Sequence, residues 1–380
     1  MAISKAFSRV GRSAAWFSWA LALPGYGQGG KEFFEWAKLY SPTSVFIITE
    51  AEKSQAGFHK QFVRTEAIPI PAVPVHESCH LFNSRFGGNG SGQYGYFVGN
   101  NQARKVAINF QPFNSKLIAA DIPADLRTFI TDVYIISGVG GNQPASMSNG
   151  AWGIMDEYAA YGSGLRSDIE FAACIKANFD APKNWGTLAL DAQPSVEASQ
   201  QFRYFVLRYA LYAKKNYPDI YQKILASQET REAYTAILQF HAQNIKEWAA
   251  VLGAQKMDTA KGNGFDVYRK FLAELEKPEY TEMEKLLLVT PSGIVSRFPD
   301  SRQGLARFHR ADVSVGIFDF RGRTLRTLVL NALDDAPFRQ LGRDVQRRYG
   351  RENPIIRLSL GRDALTLTAG ALAGLSPNGP

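Results

Sequence analysis

Apolar and polar positions fall into distinct textures along the chain. Lys31–Tyr40 (KEFFEWAKLY) has apolar residues at helical spacing, and Ser44–Thr49 (SVFIIT) is a short apolar run that reads as a buried strand. Gln61–Ile70 is extended, and Pro69, Pro71 and Pro74 exclude helix until just before Val75. Pro74 suits a first helical turn, where its missing N–H costs nothing. A helix is therefore predicted from about Pro74 to Phe86, ended by Gly87-Gly88. A Gly-rich ribbon, Gly87–Asn100, leads to a strand at Lys105–Phe110. Pro123–Ser137 is helical by pattern, Gly138–Gly150 is a polar loop, and another helix begins near Ala151.

From about Pro194 the pattern becomes purely helical. Ser199–Asn216, Asp219–Ser227, Glu229–Leu252, Gly264–Glu276 and Glu282–Val289 all place apolar residues three and four apart, with no strand among them. Beyond Thr290-Pro291-Ser292-Gly293, Val313–Phe320 alternates like a strand, two short helices follow, and Ile355–Leu360 and Leu365–Thr368 are extended. No internal repeat is present. The expected organisation is a leader (residues 1–27), a unit mixing strands and helices (28–193), a helical block (194–290) and a small mixed segment (291–380). The fold class is α+β.

The leader has the make-up of an export signal. Lys5, Arg9 and Arg12 precede the apolar run Ala14–Leu23, with small residues before cleavage points after Ala22 or Gly27. The run is about half the ~20 residues a membrane helix needs, and no other stretch approaches that length. If it is cleaved, the protein is secreted or periplasmic. If the segment is instead an amphipathic or core helix, the protein is cytoplasmic.

Composition narrows the classes further. A 380-residue chain that is 45% apolar and 21% charged is neither disordered, collagenous nor a coiled coil. Its two cysteines, Cys79 and Cys174, cannot form a disulfide framework or a CxxC pair. The net charge of +8 is local: all 18 lysines lie at or before Lys285, whereas 14 of the 25 arginines lie at or beyond Arg297. Interspersed Asp makes that end a solvated surface, or else a contact for an anionic partner. Without an aromatic-basic stripe or a nucleic-acid motif, nucleic acid is not the expected partner.

The chemistry concentrates in His76-Glu77-Ser78-Cys79-His80, an HExxH. On a helix, residues four apart are displaced by about 40°, so both imidazoles project from one face and can meet on one zinc ion. Glu77 flanks that face at about 100°, within reach of a water polarised by the ion yet not a ligand, as a general base must be. A catalytic zinc also needs a third protein ligand. Glu157, in Trp152-Gly153-Ile154-Met155-Asp156-Glu157-Tyr158-Ala159-Ala160-Tyr161, is the leading candidate, because a carboxylate in so apolar a helix requires compensation. Asp156 competes with it, and His59, His241 and His309 stand singly as further options.

HExxH followed some tens of residues later by Glu on a second helix resembles the gluzincin class of zinc metallopeptidases. Glu157-Tyr158-Ala159-Ala160-Tyr161 is similar to the E-x-x-A-D element of CAAX-prenyl-protease-like gluzincins, and the resemblance covers about residues 43–178. It implies a zincin-like unit with a small sheet and an active-site helix. It also implies that His76, His80 and Glu157 hold one Zn2+ and that Glu77 is the base. Tyr161 stands where that class has Asp, so the acidic partner that orients a zinc-bound His is absent at that position, and Asp156 or a backbone carbonyl would have to replace it.

The expected activity is zinc-dependent hydrolysis of a peptide or protein substrate. Candidate donors to the oxyanion are Tyr158, Tyr161, Tyr94 and Tyr96, of which Tyr161 is favoured because it lies one turn beyond Glu157. Phe62–Ile68 or Ser44–Thr49 could offer an edge to an extended substrate, and the loops Gly87–Asn100 and Gly138–Gly150 could border a cleft. In an exported protein a Cys79–Cys174 disulfide would join the ligand-bearing helices. The alternatives are two free thiols, or Cys79 as a soft ligand. The rival functions are a non-catalytic zinc-binding or interaction protein on the same scaffold, and an anionic-partner binder using the Arg-rich end.

Overall fold

The computed structural model describes residues 30–64, 68–88, 91–138, 143–258 and 263–289, together with residue 341 and five strands toward the C-terminus. The expected leader, residues 1–27, and His309 lie outside the described residues. The fold is α+β and mostly helical. Among the described residues no helix is long and apolar enough to cross a membrane.

Two helices open the fold, α1 (Gly30–Tyr40) and α2 (Pro42–Glu52). The second occupies the segment expected to be a strand at Ser44–Thr49. Ser41 caps it by accepting the Ser44 N–H at 3.2 Å, and Pro42 fills its first turn. Its buried residues Ser44, Ile47, Ile48 and Ala51 follow the helical i, i+3, i+4, i+7 pattern. A short β-branched run does not by itself distinguish strand from helix, and here the cap decides. Glu170 secures the cap from another helix: its Oε2 accepts from Ser41 Oγ at 2.7 Å and from the Thr43 N–H at 3.1 Å.

The expected Pro74–Phe86 helix is α3 (Ala72–Gly87), closed by Gly88 in the left-handed conformation with φ 96°. Its first N–H, from Ala72, is satisfied by Asp191 Oδ2 at 3.0 Å. The Gly-rich ribbon contains β1 (Gln93–Phe97), which pairs antiparallel with β2 (Gln102–Ala107) through a turn whose Asn100 and Asn101 both have positive φ. The pairing starts earlier than the strand expected at Lys105–Phe110. β3 (Ser296–Arg297) adds to the other edge of β2.

Pro123–Ser137 is not one helix. A 3-10 turn at Ala124–Leu126 gives way to α4 (Phe129–Thr131), capped by Thr128, and then to a single π turn at Asp132–Ile136. The polar loop ahead of residue 151 holds the one-turn helix α5 (Ala145–Ser148), and α6 (Ala151–Asn178) follows. Gly153 lets α5 lie directly on α6: a Cβ there would meet the Ser146 carbonyl oxygen at 2.1 Å.

The helical block comprises α7 (Pro182–Asn216), α8 (Pro218–Ala226), α9 (Gln228–Ala254), α10 (Phe265–Leu275) and α11 (Pro278–Leu287). The division expected at residues 193 and 194 falls inside α7, which continues through Pro194. Both apolar clusters draw on each side of that point. One joins Trp152 and Tyr158 to Phe202 and Phe205; the other joins Phe82 and Phe171 to Val196 and Trp248. The change of texture marks where strands stop rather than where a core ends.

Toward the C-terminus, β4 (Ala311–Phe318), β5 (Thr324–Ala332), β6 (Ile355–Leu360) and β7 (Asp363–Thr368) form an antiparallel sheet in the order β5-β4-β6-β7. The strand expected at Val313–Phe320 is β4, and Thr324–Ala332 is a strand within the stretch expected to hold two short helices.

Candidate metal centre

α3 lies against α6, and the two helices bring His76, His80 and Glu157 together. The helical stride places the two imidazoles with ring centroids 4.7 Å apart at 81°, so their Nε2 atoms point to a common space and stand 3.0 Å apart. Glu157 Oε2 completes a triangle, 3.5 Å from His76 Nε2 and 3.3 Å from His80 Nε2. A tetrahedral ion with ligands at about 2.0–2.1 Å requires neighbouring donors about 3.3–3.4 Å apart, which these distances approach. Glu157 is fully buried, and neither of its oxygens has a hydrogen bond of normal geometry. A buried carboxylate is expensive unless positive charge faces it, and the space between Oε2 and the two imidazoles is where a cation would be compensated. The group could hold a metal ion.

Asp156 takes a different place from its neighbour. Its Oδ2 accepts from His80 Nδ1 at 2.7 Å, which fixes Nε2 as the atom facing the triangle. Its Oδ1 accepts from Asn83 Nδ2 at 2.8 Å, and Asn83 Oδ1 accepts the Phe97 N–H of β1 at 2.8 Å. Asp156, and not residue 161, is thus the acid that orients His80, and β1 supports it through Asn83. Nothing in the sequence marks Asn83, because its partners come from β1 and α6.

The electrostatics suit a cation. Burial works against a charged His80, but Asp156 and Glu157 prevail and lift it well above the usual imidazole range. Burial likewise opposes Glu157 ionisation, yet His80 and His76 hold the carboxyl down at about 2. Glu77 is raised by burial, with His76 and His80 acting against the rise and Glu157 and Asp156 adding to it. Its carboxyl therefore stands within the field of every charged group of the centre.

Of the tyrosines, Tyr161 is at the centre, its ring 4.5 Å from that of His76. Tyr158 turns away and stacks on His241 at 4.2 Å; Tyr96 donates to the Trp152 carbonyl at 3.2 Å; Tyr94 stacks on Trp152. Tyr134, which no motif identifies, meets Tyr161 with the hydroxyl oxygens 3.2 Å apart. Two further histidines, His241 and His59, have structural places. His241 donates through Nε2 to the Tyr158 carbonyl at 2.7 Å, and His59 Nδ1 lies 2.7 Å from Glu52 Oε1.

Of the readings left open for the two cysteines, the free thiols hold, and one strand expectation is corrected. Cys79 and Cys174 are buried free thiols, not a disulfide. Cys79 contacts Ser163, whereas Cys174 lies eleven residues further along α6, about 16 Å away by helical rise and far beyond disulfide reach. Ser44–Thr49, being helical, offers no strand edge to a substrate. No family model matches the chain, and no curated protein or solved structure is significantly similar to it.

Proposed function

We propose that this chain is a zinc-dependent hydrolase of peptide bonds, of gluzincin type. The observation that carries it is the convergence of His76 Nε2, His80 Nε2 and Glu157 Oε2 at 3.0–3.5 Å, with Glu77 next to His76 in the same helical turn. Two imidazoles and one carboxylate, with no thiolate among them, are a donor set suited to catalytic zinc. Zinc, when bound, polarises a water and a substrate carbonyl. Glu77 takes the proton from the attacking water and passes it to the leaving amine, a role its raised carboxyl suits. Tyr161, one turn along α6 from Glu157, donates to the oxyanion. Asp156 keeps His80 in the required tautomer.

A second reading, a zinc-binding scaffold without catalysis, is favoured by the narrow access: the side chains of His76 and His80 are each only 12% exposed. Metal analysis combined with casein digestion separates the two. The hydrolase binds one zinc per chain, digests casein and stops when the zinc is chelated. Glu77→Gln keeps the zinc and loses hydrolysis by about 10²–10⁴-fold. Zinc bound without cleavage of casein or diverse peptides supports the scaffold, and Glu77→Gln with wild-type turnover refutes the assigned base.

A further inference from the structure

Tyr161 does not stand alone beside the metal ligands. The π turn at Asp132–Ile136 places Tyr134 opposite it, with the rings edge to face at 6.1 Å and 86° and the hydroxyl oxygens 3.2 Å apart. π turns are rare, and they recur at functional sites because the extra residue in the turn redirects a side chain. Phe202 of α7 packs against both rings at 5.4 Å, fixing the pair from the side. Both phenols lie within the field of Glu157 and Glu77, and the Tyr161 ring lies edge to face on His76 at 4.5 Å, which sets the pair beside the cluster.

Two hydroxyls in contact share one hydrogen bond, and the acceptor keeps its own proton to give elsewhere. The order of the chain follows from the ring contacts. Tyr161 is the member that touches a ligand, with its ring 4.5 Å from His76, and Tyr134 stands behind it. Donation from Tyr134 to Tyr161 leaves the Tyr161 proton available on the metal side, and a hydrogen bond accepted there strengthens the one donated. Resting on the metallohydrolase assignment, we infer that Tyr134 is a positioning residue of this centre: its hydroxyl donates to Tyr161 and aims the Tyr161 proton at negatively charged oxygen of a bound tetrahedral anion.

The test uses the zinc-loaded full chain with inorganic phosphate as the tetrahedral probe, measured by calorimetry for wild type, Tyr134→Phe, Tyr161→Phe and the double variant. Metal-free protein supplies the background. Zinc stoichiometry and unfolding temperature should stay at the wild-type values in all three variants, because the rings remain. Phosphate affinity should fall about tenfold in Tyr161→Phe and about three- to tenfold in Tyr134→Phe. The double variant should fall no further than Tyr161→Phe, because Tyr134 acts through Tyr161. Wild-type phosphate affinity in Tyr134→Phe, or losses that multiply in the double variant, overturns the role of Tyr134. Zinc bound with no affinity for phosphate also overturns it and leaves the metal centre standing. A wild-type chain that holds no zinc removes the metallohydrolase assignment itself, and this inference with it.

Discussion

The hydrogen-bond chain behind His80 permits a quantitative test. The Phe97 N–H can only donate, so Asn83 must present Oδ1 to it and Nδ2 to Asp156. His80 Nδ1 is the second donor, and Asp156 accepts both with its two oxygens at 2.7 and 2.8 Å. Asp156→Asn preserves the shape but converts one acceptor into an NH2, which must face either Asn83 or His80 as donor against donor. The variant loses one charge-assisted bond, worth about 1.5–3 kcal/mol, and leaves the imidazole weakly oriented. Removal of such an outer partner typically weakens metal binding about 10–100-fold, equivalent to about 1.4–2.8 kcal/mol, and the two estimates agree. Competition for zinc against a chromophoric chelator, at fixed pH and salt, measures the change. Affinity within twofold of wild type would show that Asp156 does not orient His80. A loss as large as that of Glu157→Gln would show that Asp156 is itself a ligand.

Further outcomes follow from other parts of the molecule. Glu157→Gln should weaken zinc binding by more than the ~100-fold upper range of an outer residue, measured by the same competition; a smaller effect would remove Glu157 from the ligand set. His241 is buried and neutral, and burial lowers it to about 4. Between pH 6.5 and 4 the unfolded chain takes up a proton on this residue that the folded one refuses. Stability from this group is therefore complete above about 6.5 and lost as pH falls to about 4, a change of about 3 kcal/mol. Urea unfolding of wild type against His241→Gln should show that difference over this window, and parallel curves would contradict it. Gly153→Ala would set a Cβ 2.1 Å from the Ser146 carbonyl oxygen. A destabilisation of at least about 2 kcal/mol is expected in thermal melts, and a neutral variant would mean that α5 yields easily.

The residues that carry local rules were legible in the sequence. The HExxH stride needs only helical geometry, and Pro74 with Gly87-Gly88 marked its helix to within a residue or two of α3. Glu157 could be singled out because a carboxylate among Ile154, Met155, Tyr158 and Ala159 needs a reason to be there. Ser44–Thr49 misled, because six residues of β-branched and apolar character suit strand and helix alike, and Ser41 with Glu170 settles the matter from outside the run. Asn83 and Tyr134 had no local signature at all. Each acquires its role from a partner on a different element, Phe97 and Asp156 for one and Tyr161 for the other.

The length of α7 has a practical consequence. At 35 residues it extends about 52 Å, a single spar shared by the helices that carry His76, His80 and Glu157 and those that follow. A chain severed between Gln193 and Pro194 would leave Phe171 and Leu188 uncovered on one fragment and Val196 and Phe202 on the other. Each half would present greasy, unpaired surface and tend to precipitate. Expression trials that trim this protein should therefore leave α7 whole, and a protease that nicks it ought to break up both apolar clusters.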